Sequence, residues 1–422
     1  MMPRHRLSLL RYAPSVRTRL LSNASNLTVE TSLSLSQLAH QSQVQFKAAD
    51  AARTDVEIVP VLSTDDFALR VFTASDNAIN IQSLFSIEED AVKGSVGSAE
   101  SVSALRIAKN SALDAKVQLL LPHTVDLNVA VTNGSVTLKD KIEGDVKVVL
   151  GRGDIEVNKL RGKNVSLKTN GGQIQVSALV EGETVRLEAQ EGVKCKRLMA
   201  VKAEVKVGKG ESQGSEFGAI YASTCNIVST NQSGQSTLRV GNMHGYLRVS
   251  SEGLKSLEVD SVTGALEVED SGDKCDVVAH FDSWTNDASS SILVGGNVRV
   301  SLQPAAPIDV ELHGTKVTVG KDCEFVSSEM DQLDEDYAVF TGELRAQEGA
   351  VMAASGSTGK INMDSAKDDA MRTSFFMKGN DGTGSQEEES KTPRLFAHAL
   401  SGEVTLDQLN WMDNIKRKHL KR

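Results

Sequence analysis

Apolar residues recur at a constant step of 19: Val136, Ile155, Ile174 and Val193, and two positions further on Leu138, Val157, Val176 and Cys195. A second pair of columns interleaves with the first. It runs Val146, Val165, Val185, Val205 and Val148, Leu167, Leu187, Val207, at steps of 19, 20 and 20. Apolar residues at i and i+2 describe short strands with one buried face, and a fixed period near 20 stacks such strands as rungs. The pattern predicts an all-β chain, a parallel β-helix with about 19–20 residues per rung, right-handed because parallel crossovers favour that hand. At roughly 4.8 Å per strand, some ten turns would form a rod about 50 Å long.

Composition agrees with such an interior. The chain of 422 residues is 40% hydrophobic but only 4% aromatic, with 33 glycines and 7 prolines. Aliphatic side chains fill narrow rungs, and glycines open their turns, as at Asn133-Gly134, Gly153 and Asn170-Gly171. Lys147, Glu156, Lys168, Glu188, Arg248 and Glu267 alternate with the apolar positions and give the outside a mixed charge, which discourages edge aggregation.

Net charge is −10, unevenly placed. Arg4, Arg6, Arg11, Arg17 and Arg19 precede the first carboxylate, Glu30, and Lys416, Arg417, Lys418, Lys421 and Arg422 close the chain. The acidic body argues against nucleic-acid binding. Residues 1–21, rich in Arg and Ser, free of acids and without an uninterrupted apolar core, read as a mitochondrial presequence with trimming before Ser22. The compartment expected is the mitochondrial matrix, with the cytoplasm as alternative. Cys195, Cys225, Cys275 and Cys323 form no CxxC pair and fit a reducing compartment. No stretch is long and apolar enough to predict a membrane span.

The predicted organisation is a presequence at 1–21, a linker at 22–43, an N-terminal β cap at 44–116 and the solenoid at 117–320. A C-terminal region at 321–422 follows, with strands at Gly359–Met363 and Gly402–Leu406, a disordered insert at 378–393 and a short terminal helix near 407–420 that caps the rod. Within the cap, strands are read at Val44–Phe46, Val56–Val59, Phe67–Phe72 and Ala78–Ile81. The period is lost between about 208 and 235, where Gly, Ser and Gln are dense.

Leu121-Pro122-His123-Thr124-Val125-Asp126-Leu127, followed by Asn133-Gly134-Ser135-Val136-Thr137-Leu138 and Gly153-Asp154-Ile155-Glu156-Val157, resembles the putative-adhesin β-helix family, in its uncharacterised eukaryotic, mitochondrial-type branch. The resemblance covers about residues 117–320. It implies a parallel β-helix and no catalytic residues.

No catalytic, cofactor or metal site is read from the residues. The outward columns Ser135, Asp154, Gln173 and Asp145, Lys163, Glu183 stack no acids for acid–base work. His123, His244, His280 and His313 lack ligand spacing and read as turn or flank residues. Arg152-Gly153-Asp154 reads as the start of a rung rather than an attachment tripeptide. Trp411, on the terminal helix, reads as closing the bottom of the rod; the alternative is a weak contact to a protein partner or membrane surface through Trp411 and Lys416. The expected role is a non-enzymatic scaffold or interaction module inside mitochondria. The alternatives are a carbohydrate-active or carbohydrate-binding β-helix and a secreted adhesin glycosylated at Asn164 or Asn231.

Overall fold

The computed structural model describes residues 16–23, 26–36, 38–62, 66–73, 80–92, 101–208, 214–231, 234–284, 288–304, 307–334, 336–344, 392–409, 412–414 and 416. It is a parallel β-solenoid with two walls, and the chain visits both in each rung.

The early strands are β1 (Val16–Asn23), β2 (Asn26–Ser34), β3 (Leu38–Ala48), β4 (Thr54–Val61), β5 (Ala68–Thr73), β6 (Phe85–Val92), β7 (Ser101–Lys109) and β8 (Ala115–Pro122). The body adds β9 (Val125–Asn133), β10 (Val136–Glu143), β11 (Val146–Arg152), β12 (Ile155–Arg161) and β13 (Asn164–Thr169). Longer strands that turn from one wall onto the other follow: β14 (Gln173–Ala189), β15 (Gly192–Val207), β16 (Ser215–Ser229), β17 (Thr237–Ser251) and β18 (Ser256–Asp270). The far end holds β19 (Asp276–Ser283), β20 (Ser289–Val294), β21 (Val298–Leu302), β22 (Ile308–Gly314), β23 (Lys316–Val319), β24 (Phe325–Asp334), β25 (Tyr337–Leu344), β26 (Arg394–Ala399) and β27 (Glu403–Gln408).

The 19-residue columns are stacked neighbours. Val136 pairs with Ile155, Ile155 with Ile174, and Ile174 with Val193, all in parallel register. Val146, Val165 and Val185 stack likewise. The next step differs from the sequence reading. Val205 lies on Leu187, and Val185 faces Ala203. A slip of two residues keeps every side chain on its own face, so the apolar pattern could not detect it. Between 208 and 235 the rungs continue, with Cys195 paired to Phe217 and Phe217 to Val240. Only the connecting loops lengthen there.

One glycine shows what each rung start demands. Gly153 has φ +120°, and a Cβ there would lie 1.7 Å from the Gly134 carbonyl oxygen of the rung below. The next residue, Asp154, accepts the Gln173 N–H at 2.9 Å. The Arg-Gly-Asp tripeptide is therefore part of the rung-to-rung bonding. At the other corner Asp145 accepts from the Lys163 and Asn164 amides at 3.0 and 2.9 Å. Burial there opposes ionisation, but the hydrogen bonds from Asn164 and Lys163 prevail and hold this carboxyl below its usual range.

Both ends depart from the expected organisation. The span read as a linker, 22–43, contains β2 and the first half of β3. The span read as a cap, 44–116, contains true rungs: β3 lies between β7 and β9, and β4 between β8 and β10, all parallel. The antiparallel cap is made instead by β1, β2 and β5 on one wall and β6 on the other. Asn80 and Ile81, read as the end of a strand, begin a one-turn helix, α1 (Ile81–Leu84), where the Asn80 side chain accepts the Gln82 N–H at 3.0 Å.

The same out-of-order stacking closes the far end. β26 lies between β20 and β22, and β27 between β21 and β23. The last rung in sequence is thus wedged beneath an earlier one. Gly402–Leu406 is a strand as expected, but inside the rod rather than last on it. The stretch Gly359–Met363 lies outside the described residues, as does the expected insert up to 391. Of the expected helical cap only 412–414 and 416 are described as helical, and there Asn414 is buried and donates to the Asp260 carbonyl of β18, not of the last rung, at 3.2 Å, while Met412 is 51% exposed.

The four cysteines are free thiols. Burial pushes Cys195, Cys225 and Cys275 up to about 12 and Cys323 up to about 11. Native protein incubated with iodoacetamide at neutral pH should therefore show no rapidly modified site by mass spectrometry, and all four should react in denaturant. Fast native labelling of Cys195 or Cys225 would contradict the packing described.

Candidate functional site

The intercalated rung gives the end of one wall its chemistry. Five neighbouring strands, β20, β26, β22, β25 and β24, bring outward side chains into three rows. The first row is Ser289, Arg394, Asp309, Glu343, Ser327. The second is Ser291, Phe396, Glu311, Thr341, Glu329, and the third is Leu293, His398, His313, Val339, Asp331. The alternation that buries Leu395, Ala397 and Ala399 turns Arg394, Phe396 and His398 outward. A groove of about 740 Å³ crosses the first two rows.

His313 is the hub. Its ring lies 5.3 Å from those of Phe396 and His398 and 6.0 Å from that of Tyr337. Nε2 approaches Glu311 Oε1 at 2.8 Å, and Nδ1 approaches the Tyr337 hydroxyl at 2.8 Å. A neutral imidazole protonated on Nε2 satisfies both, donating to the carboxylate and accepting from the phenol. Burial, and secondarily the neighbouring His313, lower the His398 pKa from its ordinary 6.5.

Depression of His398 has a signed consequence. The folded chain binds this proton less readily than the unfolded one, so stability present above pH 6.5 should decline as the pH falls below it. His398→Gln should flatten that acid limb, measured as melting temperature between pH 7.5 and 5. An unchanged limb would show that His398 is not its source.

Carboxylates outnumber cations on this face. Arg394 lies 3.8 Å from Asp309, which leaves Glu311, Glu329, Asp331 and Glu343 around an aromatic centre. Such a surface attracts positive charge, and Phe396 and Tyr337 offer ring faces to it. Among the described residues, no group of three or more His, Cys, Asp or Glu is placed to hold a metal ion.

A second cluster has the composition of a hydrolase but not its access. Ser301 Oγ lies 2.8 Å from His280 Nδ1. His280 Nε2 is 3.1 Å from Asp282 Oδ1 but lacks the alignment of a hydrogen bond. Ser301 and His280 are both fully buried, so this trio braces adjacent strands and cannot meet a substrate.

Of the histidines read as turn or flank residues, only His123 sits at a turn. His280 points into the core, His244 stacks on Tyr221 at 4.6 Å, and His313 organises the end face. Trp411 lies outside the described residues. Lys416 is exposed and pairs with Asp413 at 3.1 Å. No helix among the described residues is long and apolar enough to cross a membrane. Asn231 is buried and donates to Ser236, and Asn164 donates to Asp145 at 2.8 Å.

No protein-family model matches this chain. No curated protein matches it. Two solved structures show a likeness. A putative adhesin from Bacteroides fragilis is 13% identical, with a TM-score of 0.27 over 64% of this chain and 97% of that one. A putative cell adhesion protein from Clostridium sporogenes is 6% identical, with a TM-score of 0.18 over 94% of this chain and 100% of that one.

Proposed function

We propose that this chain is a non-enzymatic interaction module whose end face binds a partner protein through basic side chains. The observation that carries this reading is the aromatic patch of Phe396, Tyr337 and His313 bordered by Glu311, Glu329, Asp331 and Glu343 on neighbouring strands. The face is built on regularly paired strands, an arrangement that limits the ordering needed on binding. In this reading the module works in the mitochondrial matrix, supported by the acid-free, Arg-rich segment 1–21. Removing 1–21 takes away most of β1, an edge strand, and should leave a folded but cytosolic protein.

The test is a binding panel on the full chain: Lys/Arg-rich peptides, acidic peptides of the same length, and neutral and uronic oligosaccharides. The expected result is micromolar binding of the basic peptides alone, weakened at least tenfold by Phe396→Ala or by the combination Glu311→Gln, Glu329→Gln, Glu343→Gln. Preferential binding of an oligosaccharide would replace this reading with a carbohydrate-binding one.

A further inference from the structure

We propose that the bound segment adds to the solenoid as one more β-strand, along the free edge of β24. This rests on the reading of the end face as a surface for basic protein segments and specifies how such a segment runs. Among the described residues β24 pairs only with β25, so no described strand occupies its other edge. Nine of its ten residues, Val326 through Asp334, are exposed, and Val326, Met330 and Leu333 are 53%, 50% and 65% exposed. A long edge with apolar side chains is a template for another strand, and natural edges are normally shortened, covered or charged to prevent it.

Charge decides the occupant. Glu329, Asp331 and Asp334 lie on β24, with Glu343 opposite Ser327 on β25. A second copy pairing antiparallel about Met330, in the middle of this edge, would set Glu329 opposite Asp331, which is destabilising. An extended segment with alternate basic and apolar residues fits instead. Its Lys or Arg side chains would share the face of Glu329 and Asp331. Its apolar side chains would lie beside Met330, which pairs with Phe340 on the core side. Backbone bonds along the edge then supply affinity, and the alternation supplies selectivity.

The probe is a ten-residue Lys/Val alternating peptide, with two derivatives N-methylated on opposite sets of alternate amides. The full chain is titrated with each by fluorescence anisotropy, and amide exchange of residues 325–334 is followed in parallel. The parent peptide should bind and slow exchange along β24. One methylated form should lose at least tenfold in affinity and the other should retain it, because only one set of amides faces the edge. If both derivatives bind as tightly as the parent and β24 exchange is unchanged, strand addition is wrong while the basic-segment reading stands. If the parent itself fails to bind, that reading falls first. Slow exchange of β24 in the free chain, or a β24-mediated dimer by sedimentation, would show the edge already filled and overturn the proposal.

Discussion

Deleting residues 394–408 should destabilise the solenoid by about 5 kcal/mol or more, because it removes a rung from beneath another rung. Leu395, Val404 and Leu406 are at most 1% exposed, and burying a side chain of this size contributes about 1.5–3 kcal/mol. The ladders on both sides of the slot, from β20 and β21 below and from β22 and β23 above, would lose their partners together. The loss should appear as a lower melting temperature and exposed apolar surface. A synthetic peptide spanning 392–410, added in trans, should restore much of it. A truncated chain that melts like the full one would mean that this rung is dispensable.

Ile174→Asp should unfold the body of the rod, whereas Gln175→Asp should be nearly silent. Ile174 has no exposed surface and is held between Ile155 and Val193, while its neighbour Gln175 is exposed. A carboxylate in the first position would have no partner, and burying one uncompensated costs several kcal/mol. The second change alters only an outward position in a wall that already alternates charge. Chemical denaturation of the two variants separates them. Equal midpoints would place the faces or the register of β14 wrongly.

The body was legible because its loops are constant in length. From Val136 to Val193 one strand follows the next by 19 residues, and periodicity alone pairs them. The ends were not legible, because their pairings are remote. Asp55 accepts from Ser135, 80 positions away, and Ser401 bonds to the Gly295 carbonyl across 106. No local repeat can announce a rung that stacks out of order, so β3 and β4 read as part of a cap and β27 as the last strand. The end face was missed for the same reason: Phe396, His313 and Tyr337 come from three separate segments that only the wedged rung assembles. One local signal was available. In Arg394-Leu395-Phe396-Ala397-His398-Ala399 the small and aliphatic residues alternate with large polar or aromatic ones. With the former inward, Phe396 and His398 must face out, where aromatic side chains mark contact surfaces.

The out-of-order stack at the far end is the claim on which the end face depends, and cysteine-pair crosslinking reads it directly. Outward neighbours on adjacent strands lie about 5 Å apart, and those two strands apart about 10 Å. In a Cys323→Ser background, Ser291→Cys with Phe396→Cys, and Phe396→Cys with Glu311→Cys, should both join rapidly with a short thiol-to-thiol reagent. Ser291→Cys with Glu311→Cys should not. Rapid joining of Ser291→Cys with Glu311→Cys, together with failure of both pairs through position 396, would mean that β22 lies directly on β20, and the end face would have no basis.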